Sequence, residues 1–355
     1  MLGEQQLSLK ETDRADAQLM RAAPGLAAWL RQRIDGFTKL DDIRRFRGGQ
    51  SNPTYLLASG AKLFVLRSKP PGALLRSAHA IDREYRVLDA LAPSGFPVPH
   101  PIAYCDDETI TGRAFYLMSF VSGRGFQDPA LPSLRVEQRA RIYDGLVATL
   151  ARLHCLDVRA LGLDDFGRGD SYLARQLRRW SDQFRASSSA PVAEMERLSE
   201  RLAATAPLQN GIALIHGDYK LDNLLFDDAL TPVALLDWEL ATLGDPLADF
   251  TSLLIQWSLP RDEKTMTGGV SENIDGIPTI TAMAANYCAL TGRAGLPDLD
   301  WYLAYNLFRG SCICQGIAGR IRVGNAASSR AADVAARVPD LLAAATRHAE
   351  QAGIL

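Results

Sequence analysis

The 355-residue chain has no excess of charge: 39 Lys and Arg stand against 41 Asp and Glu, a net charge of −2. The summed field on which nucleic-acid binders depend is missing, so a partner recognised by bulk charge is excluded. Cysteines number five, an odd count with no C-x-x-C pair near a second, so neither a disulfide framework nor a structural zinc site is expected. His154 and the pair Cys312 and Cys314 lack matching ligands nearby in sequence and read as core residues. No run of ~18 apolar residues occurs. The first ~20 residues are polar and read as frayed; they carry charges throughout and lack the apolar centre of a signal peptide. A cytoplasmic protein with no membrane partner is expected. Internal repeats and long low-complexity tracts are missing as well.

What is present is 47% apolar residues, enough to fill two cores over about two typical domain lengths. Pro24 reads as the opening of a helix with Leu26, Trp29, Leu30 and Ile34 on one stripe, ended by Gly36. Residues 54–58 and 62–67 flank Ser59-Gly60 as a hairpin, entered from a Gly48-Gly49 loop. Residues 81–91 form a helical pattern with Ile81, Tyr85, Leu88 and Leu91 on its apolar face, which leaves Glu84 on the solvent side. Residues 113–121 read as a buried strand. Past Gly123 helical patterns dominate, at 136–155, 172–184, 194–204 and in most of the chain after Pro246, with β-rich stretches at 213–226 and 232–238. The predicted organisation is an α+β chain with an N-terminal extension and helix (1–35), a small mixed lobe (36–120) and a larger helical lobe (121–355).

The chemistry concentrates in His216-Gly217-Asp218-Tyr219-Lys220-Leu221-Asp222-Asn223 and in Asp237-Trp238-Glu239. An acid, an amide five residues later and a second acid after an intervening strand are what phosphoryl transfer to a hydroxyl requires. Asp218 can accept the proton, and Asn223 with Asp237 can offer hard oxygens to Mg²⁺. Taken singly, each of these residues also suits a polar turn; only the set points elsewhere. Upstream, Gly48 and Gly49 followed by Ser51 and Asn52 let backbone N–H groups approach a phosphate without Cβ interference, although a Gly-Gly turn alone is more simply a hairpin entry.

These motifs resemble the catalytic loop and metal-binding motif of the aminoglycoside phosphotransferase-like small-molecule kinases, which share the bilobal protein-kinase fold with a small antiparallel-sheet N-lobe and a helical C-lobe. With residues 65–72 and 172–180 the chain is similar to the branch found fused to acyl-CoA dehydrogenases. The resemblance implies that Asp218 is the catalytic base, that Asn223 and Asp237 hold magnesium, and that ATP is the phosphoryl donor. It also implies that Glu84 reaches back to the cation of the second hairpin strand, that adenine meets the backbone at Ser119 and Val121 with Met118 lining its pocket, and that Asp249 accepts backbone N–H bonds from the catalytic loop. Asp245, before Pro246, reads as a helix-start residue. One departure stands out. The family usually ends its second hairpin strand with Lys, whereas here Arg67 occupies that place, with Lys69 on the same strand face as a weaker substitute. Arg remains charged and binds phosphate oxygens in a bidentate way.

A small-molecule acceptor is expected over a polypeptide, because only eleven residues separate Asp237 from Asp249, too few for the long segment that docks a polypeptide in protein kinases. After position 250 nine acids balance nine bases, and the last 55 residues hold three acids against Arg309, Arg320, Arg322, Arg330, Arg337 and Arg347. That tilt points to an anionic acceptor, a hydroxyacyl-CoA or hydroxy acid, although a solvated arginine face accounts for it equally well. A nucleotide-binding pseudokinase, an aminoglycoside-type kinase acting on a cationic amino sugar and a metal-dependent hydrolase are the alternatives.

Overall fold

A computed structural model describes residues 4–6, 12–46, 52–70, 80–190, 192–209, 211–270, 274–324 and 330–355. The chain divides into two compact units, residues 4–125 with 223–241 and residues 126–222 with 242–355.

The first unit runs through β1 (Glu4–Gln6), β2 (Thr12–Arg14), α1 (Ala17–Arg31), β3 (Asp42–Phe46), β4 (Thr54–Ser59), β5 (Lys62–Ser68), α2 (Ile81–Leu91), β6 (Pro101–Cys105), α3 (Glu108–Thr111), β7 (Phe115–Ser119) and β8 (Arg124–Phe126). Six of its strands form an antiparallel sheet in the order β2-β3-β4-β5-β7-β6. Pairing of Ser59 with Lys62 closes the predicted hairpin over Gly60, which sits at φ +58° where a side chain would be strained. Side chains alternate across the sheet. Tyr55, Leu57, Phe64, Leu66, Phe115 and Leu117 share a core with Leu19, Leu26, Trp29 and Leu30 of α1, while Val65, Arg67, Tyr116 and Met118 face the other way.

The start of α1 differs from the expectation. The helix begins at Ala17, where Asp16 caps it by accepting from Leu19 N at 3.0 Å, and Pro24 lies inside it. The cap and the burial of four large apolar side chains outweigh the backbone bond that the proline removes. The polar stretch before it is partly ordered, since β2 pairs with β3. Two strands gave little signal in sequence. β3 buries only Ile43 among charged neighbours, and β6 is an edge strand that opens on Pro101, a position that needs no ladder N–H.

β10 (Leu224–Phe226) and β11 (Pro232–Leu235) belong to this first unit as well. Phe226 pairs with Arg124, and Leu235 N donates to Pro97 O at 2.8 Å. These backbone bonds draw residues 223–241 away from the helical region in which sequence order alone puts them.

The second unit holds α4 (Val136–His154), α5 (Tyr172–Ser187), α6 (Ala193–Ala204), β9 (Ala213–Ile215), β12 (Thr242–Gly244), α7 (Pro246–Leu254), α8 (Ile280–Thr291), α9 (Leu299–Arg322), α10 (Ala331–Ala335) and α11 (Val338–Gln351). α9 packs against α5, α7, α10 and α11. Its residues from Trp301 to Phe308 are all buried, which removes the usual polar stripe and marks it as the central helix. Asp245 caps α7 ahead of Pro246 at its first turn, as expected. No helix among the described residues is long and apolar enough to cross a membrane. The cysteines are unpaired, and four of the five are buried.

Candidate active site

In the first unit, the sheet face opposite α1 borders an open cavity lined by Val65, Arg67, Tyr116, Met118, Ser119, Val121, Asn223 and Asp237 among others. β5 and β7 supply its floor by strand alternation. Leu224 pairs with Leu235, and Leu236 N donates to Asn223 O at 2.8 Å, so Asn223 and Asp237 reach the cavity from adjoining strand ends. Asp237 adopts φ +66°, a conformation that aspartate tolerates better than most side chains. The two offer one carboxylate and one amide oxygen. That donor set fits a magnesium ion, which keeps several waters and takes phosphate oxygens instead of an all-protein cage.

Arg67 spans this site. Its Nε lies 2.7 Å from Glu84 Oε2 and its Nη2 lies 2.6 Å from Asp237 Oδ1, with Glu239 Oε2 at 3.9 Å. Glu84 is not on the solvent side of α2, as the helical pattern suggested; it is 1% exposed. Asn52 Nδ2 donates to its Oε1 at 2.6 Å, and the Tyr116 hydroxyl donates to its Oε2 at 3.0 Å. Burial pushes the Glu84 carboxyl up, and the nearby Asp237 charge adds to this, against the pull of Arg67, Tyr116 and Asn52. Arg67 is held protonated: the charge of Glu84 and then that of Asp237 outweigh the cost of its burial. Two donors, Asn52 and Tyr116, and the Arg67 charge converge on Glu84.

In the second unit, β9 delivers the His216-Gly217-Asp218 turn, with Gly217 at φ +80°. Two amides and one carbonyl of the turn are held by side chains. Asp249, on α7, accepts from His216 N at 2.7 Å and from Gly217 N at 2.9 Å, as the resemblance implied. Arg309, on α9, donates to Gly217 O at 2.5 Å. His154 Nε2 lies 3.2 Å from Asp249 Oδ2 and its Nδ1 2.7 Å from the Tyr287 hydroxyl, so the histidine serves the turn from inside the core. Burial pushes the Asp249 carboxyl up, but the His154 hydrogen bond and charge, with the His216 backbone, hold it below the usual carboxylate range. The Asp218 side chain is 39% exposed, and Lys220 Nζ lies 3.2 Å from its Oδ2 and 3.5 Å from Asp222 Oδ2. Lys220 also lines a second, open cavity with Tyr143, Asp222, Trp257 and Arg330.

Of the residues singled out in sequence, Arg67, Met118, Ser119, Val121, Asn223 and Asp237 meet at one cavity, with Glu84 and Asn52 tied behind Arg67. Ser119 N donates to His100 O at 2.8 Å, so this amide is already committed. Gly48, Gly49 and Ser51 lie outside the described residues. Lys69 falls past the end of β5 and is not among the lining residues. Sequence reasoning missed Tyr116, Arg309 and the link from His154 to Tyr287. Tyr116 was within reach by alternation from Met118, whereas Arg309 acts 92 residues from its partner and no local pattern connects them. Of the arginines in the last 55 residues, Arg309 is spent on Gly217 O, Arg322 on Ser187 O, Arg337 on Asp340 and Pro260 O, and Arg347 on Ser258 O.

Residues 42–285 match the sequence model of the phosphotransferase enzyme family. "Acyl-CoA dehydrogenase family member 11" of Rattus norvegicus is 41% identical over 312 residues, which cover 85% of this chain and 40% of that protein. The chain thus spans about 40% of the length of the curated relatives it matches first. Among solved structures, a Ralstonia eutropha protein provisionally described as an aminoglycoside phosphotransferase superposes with a TM-score of 0.84 at 36% identity, covering 92% of this chain and 98% of its own. A choline kinase from Cryptosporidium parvum shares the fold at 12% identity, with a TM-score of 0.63 and coverage of 93% and 97%. The architecture is therefore that of the protein-kinase-like phosphotransferases, with an antiparallel-sheet N-terminal region and a helical C-terminal region.

Proposed function

The chain belongs to the phosphotransferase enzyme family, and from that premise we propose that it transfers the γ-phosphoryl group of ATP to a hydroxyl of a small molecule. The observation that carries this is the meeting of Arg67, Asn223 and Asp237 at one cavity whose wall is completed by Met118, Ser119 and Val121. Met118 and Val65 give the apolar surface an adenine ring needs. Arg67, its position set by Glu84, presents guanidinium N–H groups to the phosphates. Asn223 and Asp237 would hold a magnesium ion, which neutralises the charge that develops on the phosphoryl oxygens.

Asp218 is the base. Its turn is fixed at both amides by Asp249 and at the Gly217 carbonyl by Arg309, so the carboxylate meets the incoming hydroxyl without reorganising its backbone. The Lys220 ammonium lies 3.2 Å from its Oδ2.

For the acceptor we propose an anionic hydroxy compound, a hydroxy acid or hydroxyacyl-CoA. The cavity beside Asp218 pairs aromatic surface from Tyr143 and Trp257 with two cations, Lys220 and Arg330, against a single acid, Asp222. That balance supports an anion and runs against a polycationic amino sugar, which would want carboxylates. The likeness to relatives named for acyl-CoA dehydrogenases supports the same class. The test is ATP turnover by the purified chain against panels of hydroxy acids, hydroxyacyl thioesters, neutral alcohols and aminoglycosides. Phosphorylation of the first two, lost by roughly three orders of magnitude in Asp218→Ala, is the expected result. Turnover of cationic sugars alone would overturn the acceptor, and ATP binding with no transfer to any alcohol would leave a nucleotide-binding module in place of an enzyme.

A further inference from the structure

We infer that Arg67 couples the divalent cation to the nucleotide: in the free protein its guanidinium holds the Asp237 carboxylate, and a cation gains a strong site there only when a polyphosphate takes the guanidinium over. This rests on the nucleotide site proposed above and assigns a consequence to the one residue that departs from the family's usual lysine.

A single guanidinium bridges two acids here, through Nε to Glu84 Oε2 at 2.7 Å and through Nη2 to Asp237 Oδ1 at 2.6 Å. The two ends differ in how firmly they are held. Glu84 is locked by Asn52 and Tyr116 in a site where its side chain is 2% exposed, while the Asp237 side chain is 33% exposed. The Glu84 end is therefore the anchor, and the Asp237 end is the one that can be exchanged. A lysine has one nitrogen on an unbranched stem and would satisfy the buried Glu84 first, leaving Asp237 unclaimed. With arginine in place, a cation approaching Asp237 alone meets a fixed positive charge on the same carboxylate, in a partly buried site where water screens it poorly. A polyphosphate offers the Nη groups at least as many acceptor oxygens as Asp237 does, in the bidentate geometry that guanidinium favours. Binding of the anion thus frees Asp237 and adds negative charge beside it. The two ligands help each other by one shared factor, because coupling between sites is reciprocal.

The experiment uses the intact chain, with Mn²⁺ as a spectroscopic probe and ADP as the nucleotide. By electron paramagnetic resonance, wild-type protein without nucleotide is expected to bind Mn²⁺ weakly, and Arg67→Lys to bind it roughly tenfold more tightly. By calorimetry, Mn²⁺ should strengthen ADP binding to the wild type, beyond formation of the Mn–ADP complex in solution, by more than it does for Arg67→Lys. Equal Mn²⁺ affinity of the two proteins would overturn the inference. A second measurement requires no variant. In guanidinium NMR of the wild type, metal-free ADP should shift the Arg67 side-chain resonance and Mg²⁺ alone should not; a shift on Mg²⁺ alone overturns the inference. Failure of ADP to bind under either condition would instead overturn the nucleotide site itself.

Discussion

Two side chains carry more than their place in sequence suggests. Arg309 spends its guanidinium on the carbonyl of Gly217 and stacks 5.6 Å above the Trp180 ring. In Arg309→Leu the carbonyl loses that donor while Asp249 still holds both amides, so the turn loosens on one side only. The expected outcome is a kcat lowered by roughly tenfold, the loss of one charge-assisted hydrogen bond, with ADP affinity unchanged by calorimetry. Tyr116 gives a milder case. Tyr116→Phe removes one of the two hydrogen-bond donors to Glu84, and with Arg67 still paired the loss of stability should be about 1 kcal/mol in urea unfolding. Glu84→Ala should cost far more, because Arg67 then loses its buried counter-ion.

At the level of elements, α1 offers two changes of opposite sign. Asp16 accepts from Leu19 N, receives the Tyr55 hydroxyl and lies 3.4 Å from Arg113. Asp16→Ala should destabilise the first unit by roughly 1–2 kcal/mol. Pro24 is exposed inside the same helix, so Pro24→Ala restores an N–H to the backbone ladder. It should raise stability by roughly 1–2 kcal/mol, the helical gain less the freedom returned to the unfolded chain. Strongly patterned elements were legible in advance: the hairpin of β4 and β5, the helix α2 and the long helices α4 to α6. β3 and β6 were not, because a strand with one buried residue or a proline at an edge is recognised by its partner and not by its own period.

Across the whole molecule, stability against acid is set by buried carboxylates and not by the net charge of −2. Burial works against ionisation in Asp249, Asp128 and Asp16, yet each is held below the usual carboxylate range, by His154, Arg261 and Tyr55 respectively with backbone N–H groups. The Asp128–Arg261 pair is bidentate, at 2.5 and 2.7 Å. A depressed folded pKa contributes stability that is fully present above the unfolded value of ~3.9 and is lost as pH falls through the folded value. Urea midpoints should therefore vary little from about pH 7 to 5 and fall steeply below about pH 4. Asp249→Asn should be less stable at neutral pH and show a shallower acid limb.

The sequence alone determined the chemistry on offer. The spacing of Asp218, Asn223 and Asp237, the Arg in place of Lys at position 67 and the alternation of β5 and β7 are local facts, readable because a motif or a period lies within a few residues. Tertiary structure alone decided what those groups do to one another. It sent Arg309 to a carbonyl instead of a ligand. It also drew residues 223–241 into the sheet-bearing unit. Each depends on partners tens to hundreds of residues apart, where burial and ion pairing are settled by packing and leave no periodic trace in the chain.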